Sequence, residues 1–409
     1  MKIELNEQQK QVLQDAVKWF NSKSSPQVFE IDGLAGTGKS VLIFHILQAL
    51  GLRKDQYMPM AYTGQASIVM RTKGFPNARS IHSSLYEIIE LEDSNTDVSE
   101  AFGRPHKKKI FRKIPYLSGD IRLFFIDEAY MVPDYMVRDI LSFKKKVIVC
   151  GDAHQLPPIG GRPAFLTNPY NCHHLTQLMR QAEDDPIVYL SQQIIKGEPI
   201  HNGTYGNSVM VIDDTDFIPE MIGYANVVIT GTNKTRDMMN TYVRDLAGFS
   251  YSNLPLQGER LICRNNNWDL QQDGIALANG LNGTVISTPD ILNYDGEIFH
   301  IDFKPDLVDT VFGDVLVNYD YFSGSFDLKQ QYRNDYTMRK WMTGEMFEFA
   351  YAITTHLSQG SEYNDGIIIR EYLRPQMQKQ LDYTAITRFK RSCIIIKKTD
   401  KSLKLPEFR

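Results

Sequence analysis

Gly33-Leu34-Ala35-Gly36-Thr37-Gly38-Lys39-Ser40 is the stretch whose reading decides the fold. The apolar run Val28-Phe29-Glu30-Ile31 precedes it and a segment of helical character, Val41 to Leu50, follows, so the order is strand, glycine-rich turn, helix. Glycines open backbone conformations closed to other residues, and the exposed N–H groups of such a turn cradle phosphate oxygens. Lys39 adds positive charge, and Ser40 offers a hydroxyl to Mg²⁺. The octapeptide reads as a P-loop, with Gly33, Ala35, Gly36, Thr37, Gly38, Lys39 and Ser40 as candidate contacts to a nucleoside triphosphate.

Outward from the P-loop, Leu5, Val12, Leu13, Ala16, Val17 and Phe20 recur at helical spacing and predict a helix before the P-loop strand. Strand-like runs at Met58 to Tyr62, Leu123 to Ile126 and Val147 to Cys150 alternate with helix or loop sequence, the rhythm of a parallel α/β sheet. Residues 87–119 break that rhythm with an acidic and then a basic stretch, and Gly103, Pro105 and Pro115 within it predict a small protruding insertion. A second set of runs, Val227 to Thr230, Gly366 to Ile369 and Ser392 to Lys397, together with the helical segment Arg236 to Ala247, predicts a second α/β unit. Between its parts, residues 256–345 carry short alternating runs among Gly, Asn, Asp and aromatics, which predicts an inserted all-β module.

A chain of 409 residues exceeds what one hydrophobic core supports, and its 42% apolar content suffices to fill two. Its longest apolar runs have strand length, well short of the ~20 residues that span a bilayer, so a soluble cytoplasmic protein without membrane contact is expected. Cys150, Cys172, Cys263 and Cys393 lack any C-x-x-C spacing, which argues against a zinc site or a disulfide framework. The net charge of −4 is not that of a general polyanion binder, so any nucleic-acid site must be local.

Leu123-Phe124-Phe125-Ile126 ends in Asp127-Glu128, and carboxylates at the end of a parallel strand face the ligand crevice. Asp127 is expected to hold Mg²⁺ through water, and Glu128 to accept the proton of the attacking water. Gly151 to Pro158 follows another apolar strand, and within it Gln155 places a neutral amide where it could sense the γ-phosphate.

In their order these motifs resemble superfamily 1 helicases of the RecD/Dda-like subgroup. Gln9, in Leu5-Asn6-Glu7-Gln8-Gln9, is similar to the family's adenine-reading glutamine. Ala61 to Ala66 resembles motif Ia, Ser80-Ile81-His82 motif Ib, Asp127 to Met131 motif II and Gly151 to Pro158 motif III. Leu178-Met179-Arg180-Gln181 carries an arginine that in the family reaches the γ-phosphate from across the cleft. Thr354 to Glu362 is similar to motif V, and Tyr383 to Arg388 to motif VI, whose Arg388 is the second such finger. Asn279 to Val285 resembles a turn of the subgroup's SH3-like insertion. Tyr130, Leu357 and Phe389 depart from the family pattern, which bears on DNA affinity and coupling more than on hydrolysis.

The resemblance implies two RecA-like P-loop NTPase domains in tandem: 1A (1–86 and 120–165) with insertion 1B (87–119), and 2A (166–255 and 346–409) with an SH3-like insertion 2B (256–345). It implies Lys39, Glu128, Gln155, Arg180 and Arg388 in catalysis, Gln9, Gly360 and Glu362 beside the P-loop as ATP contacts, and Ser40 with Asp127 on Mg²⁺. Thr63, Gly64, Ser80, His82, Thr354, His356 and Ser358 become DNA contacts, and Phe102, Phe111 and Tyr116 mark 1B as the strand-separating pin. The implied activity is ATP-dependent 5′ to 3′ translocation on single-stranded DNA with duplex unwinding. The chain would act as a monomer at duplex junctions, with single-strand-binding, replication or recombination proteins as partners in bacterial or phage-infected cytoplasm. Left open are a translocase that remodels protein–DNA complexes without strong unwinding, a nucleotide-switched adaptor, and RNA as the track.

Overall fold

The computed structural model describes residues 4–92, 107–158, 161–168, 172–179, 184–287, 298–334, 344–373, 375–400 and 403–406. Asn6 caps α1 (Glu7–Asn21) reciprocally, its side chain accepting from Gln9 N at 2.8 Å while Gln9 Oε1 accepts from Asn6 N at 3.0 Å. Then come β1 (Val28–Gly33), α2 (Lys39–Ala49), β2 (Tyr57–Ala61), α3 (Gly64–Thr72), β3 (Arg79–Ser80) and α4 (Ile81–Leu85). β4 (Tyr86–Glu92) and β5 (Lys107–Lys113) follow, then β6 (Leu123–Asp127), α5 (Asp134–Ser142), β7 (Lys146–Gly151) and β8 (Cys172–Leu175). The first sheet runs β3-β2-β6-β7-β1-β8, all parallel.

Successive β6 residues bury on opposite faces, Leu123 and Phe125 among the helix α1 and α2 residues, Phe124 and Ile126 against α5. Burial on both sides explains why such a strand reads as an unbroken apolar run. The P-loop and Asp127 both lie at carboxyl ends of these strands, which is where an open parallel sheet places its ligand crevice.

The second lobe starts with α6 (Pro186–Lys196), β9 (Gly203–Tyr205), β10 (Val209–Asp213), β11 (Val227–Thr230) and α7 (Asn233–Leu246). The inserted module holds β12 (Arg260–Cys263), β13 (Asn267–Gln272), β14 (Ile275–Leu277), β15 (Asn282–Val285), β16 (Ile298–Pro305), β17 (Phe312–Asn318), α8 (Tyr319–Ser323), α9 (Phe326–Asn334) and β18 (Phe347–Phe349). The chain returns through β19 (Ala352–Thr354), β20 (Tyr363–Arg370), α10 (Pro375–Ile386) and β21 (Phe389–Lys397). The second sheet runs β19-β11-β20-β21-β10-β9, parallel apart from β9. The insertion forms a five-stranded antiparallel sheet, β17-β16-β15-β12-β18, whose core of Phe299, Phe303, Val315 and Phe347 also takes in Ile68 from α3 of the first lobe.

One expected boundary needs adjusting. β8 pairs with β1, Glu30 opposite Cys172 through Gly33 opposite Leu175, so the first lobe continues beyond residue 165. Cys-His-His-Leu is a short edge strand without an apolar run, which is why the sequence did not signal it. The insertion at 87–119 is built on a two-stranded antiparallel ribbon of β4 and β5, in register from Tyr86–Lys113 to Glu92–Lys107. Of the pin aromatics, Phe102 and the side chain of Phe111 lie outside the described residues, and Tyr116 is exposed. No described helix is long and apolar enough to cross a membrane.

Candidate nucleotide site at the cleft between the lobes

β1 ends at Gly33 and the chain turns into α2 through Gly36 and Gly38, with φ of 81° and 74°. Gly38 has no alternative: besides its left-handed φ, a Cβ there would sit 2.7 Å from Gln9 Nε2 and 2.9 Å from Met179. Lys39 Nζ rests on the loop's own carbonyls, 2.6 Å from Gly33 O and 3.1 Å from Leu34 O. An ammonium held by two neutral acceptors is placed to exchange them for phosphate oxygens, which bind it more strongly. The Thr37 hydroxyl donates to Leu34 O at 2.8 Å. Gln9 is fully buried and its amide supports the loop: Nε2 donates to Thr37 O at 2.9 Å and contacts Met179 Sδ at 3.3 Å, while Oε1 serves the α1 cap. It presents no free amide edge to a base in this arrangement.

Asp127 Oδ1 accepts from Glu128 N at 2.9 Å, and Glu128 holds a left-handed φ of 50°. Burial pushes the Glu128 carboxyl upward, opposed by Arg388, which reaches from the second lobe to 3.9 Å, and by Lys39. The Cys150 thiol at the end of β7 is raised by burial and then by Asp127, with Lys39 opposing, so lysine and carboxylates gather around one strand end. Arg388 is itself buried, its guanidinium donating to Thr384 O at 3.1 Å, Ser361 O at 3.4 Å and Thr387 Oγ1 at 3.3 Å. Arg180 lies outside the described residues.

Other bonds cross the same seam. The Tyr383 hydroxyl accepts from Ala35 N at 3.0 Å and donates to Asp152 Oδ2, tying the P-loop to the strand-end loop after β7. Burial works against the Asp152 charge, but hydrogen bonds from His154 and Tyr383, with Lys39 nearby, hold its carboxyl below the ordinary range. Thr384 Oγ1 accepts from Leu156 N at 3.0 Å, and Gln359 Nε2 donates to Leu156 O at 2.8 Å. Gln155 is buried with Oε1 lacking a hydrogen-bond donor. Gly360, with φ of 74°, packs so that a Cβ would meet Ala66 Cβ at 2.7 Å. Glu362 stands between Lys73 Nζ and Lys390 Nζ, each at 2.5 Å. Both candidate ATP contacts of motif V are thus at the seam between the lobes. The left-handed glycine turn and the exchangeable lysine contacts fit a triphosphate, the orphaned acceptor of Gln155 fits a donor such as a water molecule, and Ser40 with Asp127 supplies the hard oxygen donors that suit Mg²⁺.

The DNA-contact candidates divide. Thr63 caps α3, accepting from Ala66 N at 3.1 Å, and Gly64 abuts the insertion, where a Cβ would lie 2.8 Å from Ala278 Cβ. Ser80, Thr354 and Ser358 are buried, with hydroxyls engaged on Ser83 N, Leu357 N and Thr355 O. Short hydroxyl residues that suit phosphates suit caps and turns equally, so the sequence did not separate the two uses. Burial lowers the pKa of His82 and of His356. The His82 ring lies 5.5 Å from Tyr86 and 6.2 Å from Trp268, nearly parallel to the latter. Trp268, Arg79, Ser67 and Ser83 line a shallow, narrow cleft between α3, α4 and the β13–β14 hairpin. Arg71 fastens that hairpin, donating to Gly274 O at 2.8 Å and Asp273 O at 3.4 Å. An aromatic platform beside a cation suits single-stranded nucleic acid. Trp268 and Arg79 were not singled out from the sequence, and Tyr383 entered only as the first residue of the motif VI match; each acquires its neighbours through the tertiary fold.

Solved structures of Pif1 helicases share this architecture. A Pif1 structure described as a basis for DNA unwinding at forked duplex by two coordinating helicases is 16% identical, with a TM-score of 0.54 over 99% of this chain and 95% of that one. Pif1 from Bacteroides, in complex with ADP-AlF3 and single-stranded DNA, is 16% identical with a TM-score of 0.52, over 99% and 95%. Pif1 from Candida albicans, again 16% identical, gives 0.51 over 96% and 94%. No curated protein matches the chain. Residues 4–220, more than half of the sequence, match the AAA domain model, and the chain therefore belongs to that family, on the two-lobed fold of the superfamily 1 helicases that its motifs resemble.

Proposed function

We propose that the chain is an ATP-driven DNA helicase that moves 5′ to 3′ on single-stranded DNA and unwinds duplex. The observation that carries this reading is Arg388 meeting Glu128 across the cleft at 3.9 Å, which makes the hydrolytic site the property of both lobes. In this mechanism Lys39 leaves the loop carbonyls for the β- and γ-phosphates, and Glu128, whose raised pKa makes it a stronger base, takes the proton of the attacking water. Gln155 Oε1 accepts a hydrogen bond from that water, and Arg388 stabilises charge on the γ-phosphoryl oxygens. Ser40 and Asp127 would hold Mg²⁺, which supplies Lewis-acid neutralisation of the phosphates. Because Tyr383, Thr384 and Gln359 join the P-loop side to the second lobe, each cycle of hydrolysis reorganises the seam and shifts the lobes along the strand.

The Pif1 structures support DNA as the track, since one holds single-stranded DNA and another concerns forked duplex. The 2B insertion, read as SH3-like, and α3 offer the cleft of Trp268 to that strand. The test is ATP turnover with and without single-stranded DNA, followed by unwinding of forks with 5′ or 3′ overhangs. Stimulated turnover with unwinding from 5′ overhangs is the expected result. Stimulation without unwinding would favour a protein-remodelling translocase, and unwinding only from 3′ overhangs would refute the polarity.

A further inference from the structure

Beside the Arg388–Glu128 contact lies a second ion pair across the seam, with its polarity reversed. Glu362 precedes β20 and Arg388 precedes β21, neighbouring parallel strands paired at Tyr363 and Phe389. Tyr363 N donates to Arg388 O at 2.8 Å, so the two charged residues leave the second lobe side by side. Arg388 meets Glu128, while Glu362 meets Lys73 of the first lobe at 2.5 Å. The four charges alternate: Lys73 and Glu128 on one wall, Glu362 and Arg388 on the other. Burial works against the Lys73 charge, but Glu362, then Asp127 and Glu128, outweigh it and raise its pKa. The same cation therefore balances the acidic pair of its own lobe and the carboxylate of the other.

Lys73 is the C-cap of α3, a nine-residue helix whose N-cap is Thr63 and whose first residue is Gly64. Ala66 of that helix touches Gly360, two residues before Glu362. Ile68 enters the core of the insertion, and Arg71 fastens the hairpin that carries Trp268. One short helix thus lines the cleft along its length through Gly64, Ser67 and Arg71 and carries Lys73 of the charge quartet at its C-terminus. Without the ammonium, Asp127, Glu128 and Glu362 would face one another across the seam with Arg388, Lys39 and the outer Lys390 left, among the described residues, to offset them.

We propose that Lys73 is a positioning residue that couples strand binding to hydrolysis: by holding Glu362 it fixes the register in which the adjacent Arg388 enters the site, and through α3 that register follows the strand. This inference rests on the ATPase reading above. The experiment is steady-state ATP turnover of the full chain, with and without saturating single-stranded DNA. Lys73→Ala is expected to lower the DNA-stimulated kcat about tenfold, a usual size for site-to-site coupling, with the unstimulated kcat and the KM for ATP within about twofold of the parent. Lys73→Met, which keeps the length and loses the charge, carries the same expectation should the alanine variant fail to fold. Lys73→Arg should restore most of the stimulation, and Lys390→Ala, which removes only the outer partner of Glu362, should preserve it. Full stimulation without the Lys73 charge, equal loss of stimulated and unstimulated rates, or no restoration by arginine would overturn the proposal. A parent chain whose turnover ignores DNA would instead remove the helicase reading itself.

Discussion

Three side chains at the seam allow their roles to be separated. Glu128→Gln keeps the shape and removes the base, so turnover should fall by a factor of about 10² to 10⁴ while nucleotide binding, followed by a fluorescent ATP analogue, survives. Arg388→Ala should lower kcat by a factor on the order of 10³ with a much smaller effect on nucleotide affinity. Near-normal turnover in that variant would mean that the lobes do not share the site. Tyr383→Phe leaves the buried Asp152 without one donor and Ala35 N without its acceptor, and denaturant unfolding should show a loss of about 1–3 kcal/mol. At this scale the P-loop was legible because its residues are contiguous and each chemical need maps to a residue type. Lys73 and Glu362 were not legible as a pair: 289 positions separate them, and neither carries a local pattern that names the other.

Among the elements, α3 bears the densest set of duties, being capped by Thr63, packed on Gly360, inserted into the 2B core by Ile68 and closed by Lys73. Its tolerance can be measured through its neighbour. Gly360 and Gly248 share nearly the same left-handed backbone, φ of 74° and 73°, but a Cβ at Gly248 meets open space while one at Gly360 meets Ala66 Cβ at 2.7 Å. Gly248→Ala should therefore cost only the conformational strain of about 1–2 kcal/mol, and Gly360→Ala clearly more, in paired denaturant melts. Equal losses would show that the lobes do not press together at that point. The long strands of both sheets were readable because burial on two faces demands an apolar run. The edge strands β8 and β9 were not, since a strand paired on one side needs no such run.

Across the whole molecule, two carboxylates link the lobes and the insertion to pH. Burial works against the charge of Glu362, but Lys73 and Lys390 hold its carboxyl at about 2; Glu348, buried likewise, is held at about 2 by Arg264, Arg236 and Arg333. A depressed native value contributes stability that is complete above the unfolded value near 4.5 and is lost as pH falls through the native one. Unfolding free energy should thus decline between about pH 4.5 and pH 2, and Glu362→Gln should flatten the decline; an unchanged slope in the variant would exclude its share. Two α/β lobes with a β insertion could be anticipated from periodicity, whereas their closure could not, because it resides in pairings between distant segments. The insertion enters the fold through β12 and leaves through β18, which lie against each other with Leu261 opposite Phe349, and Ala350 N donates to Arg260 O at 2.9 Å. Entry and exit lie side by side, so a different module can be spliced in without rerouting the second sheet, provided that it again receives Ile68 and Arg71 of α3.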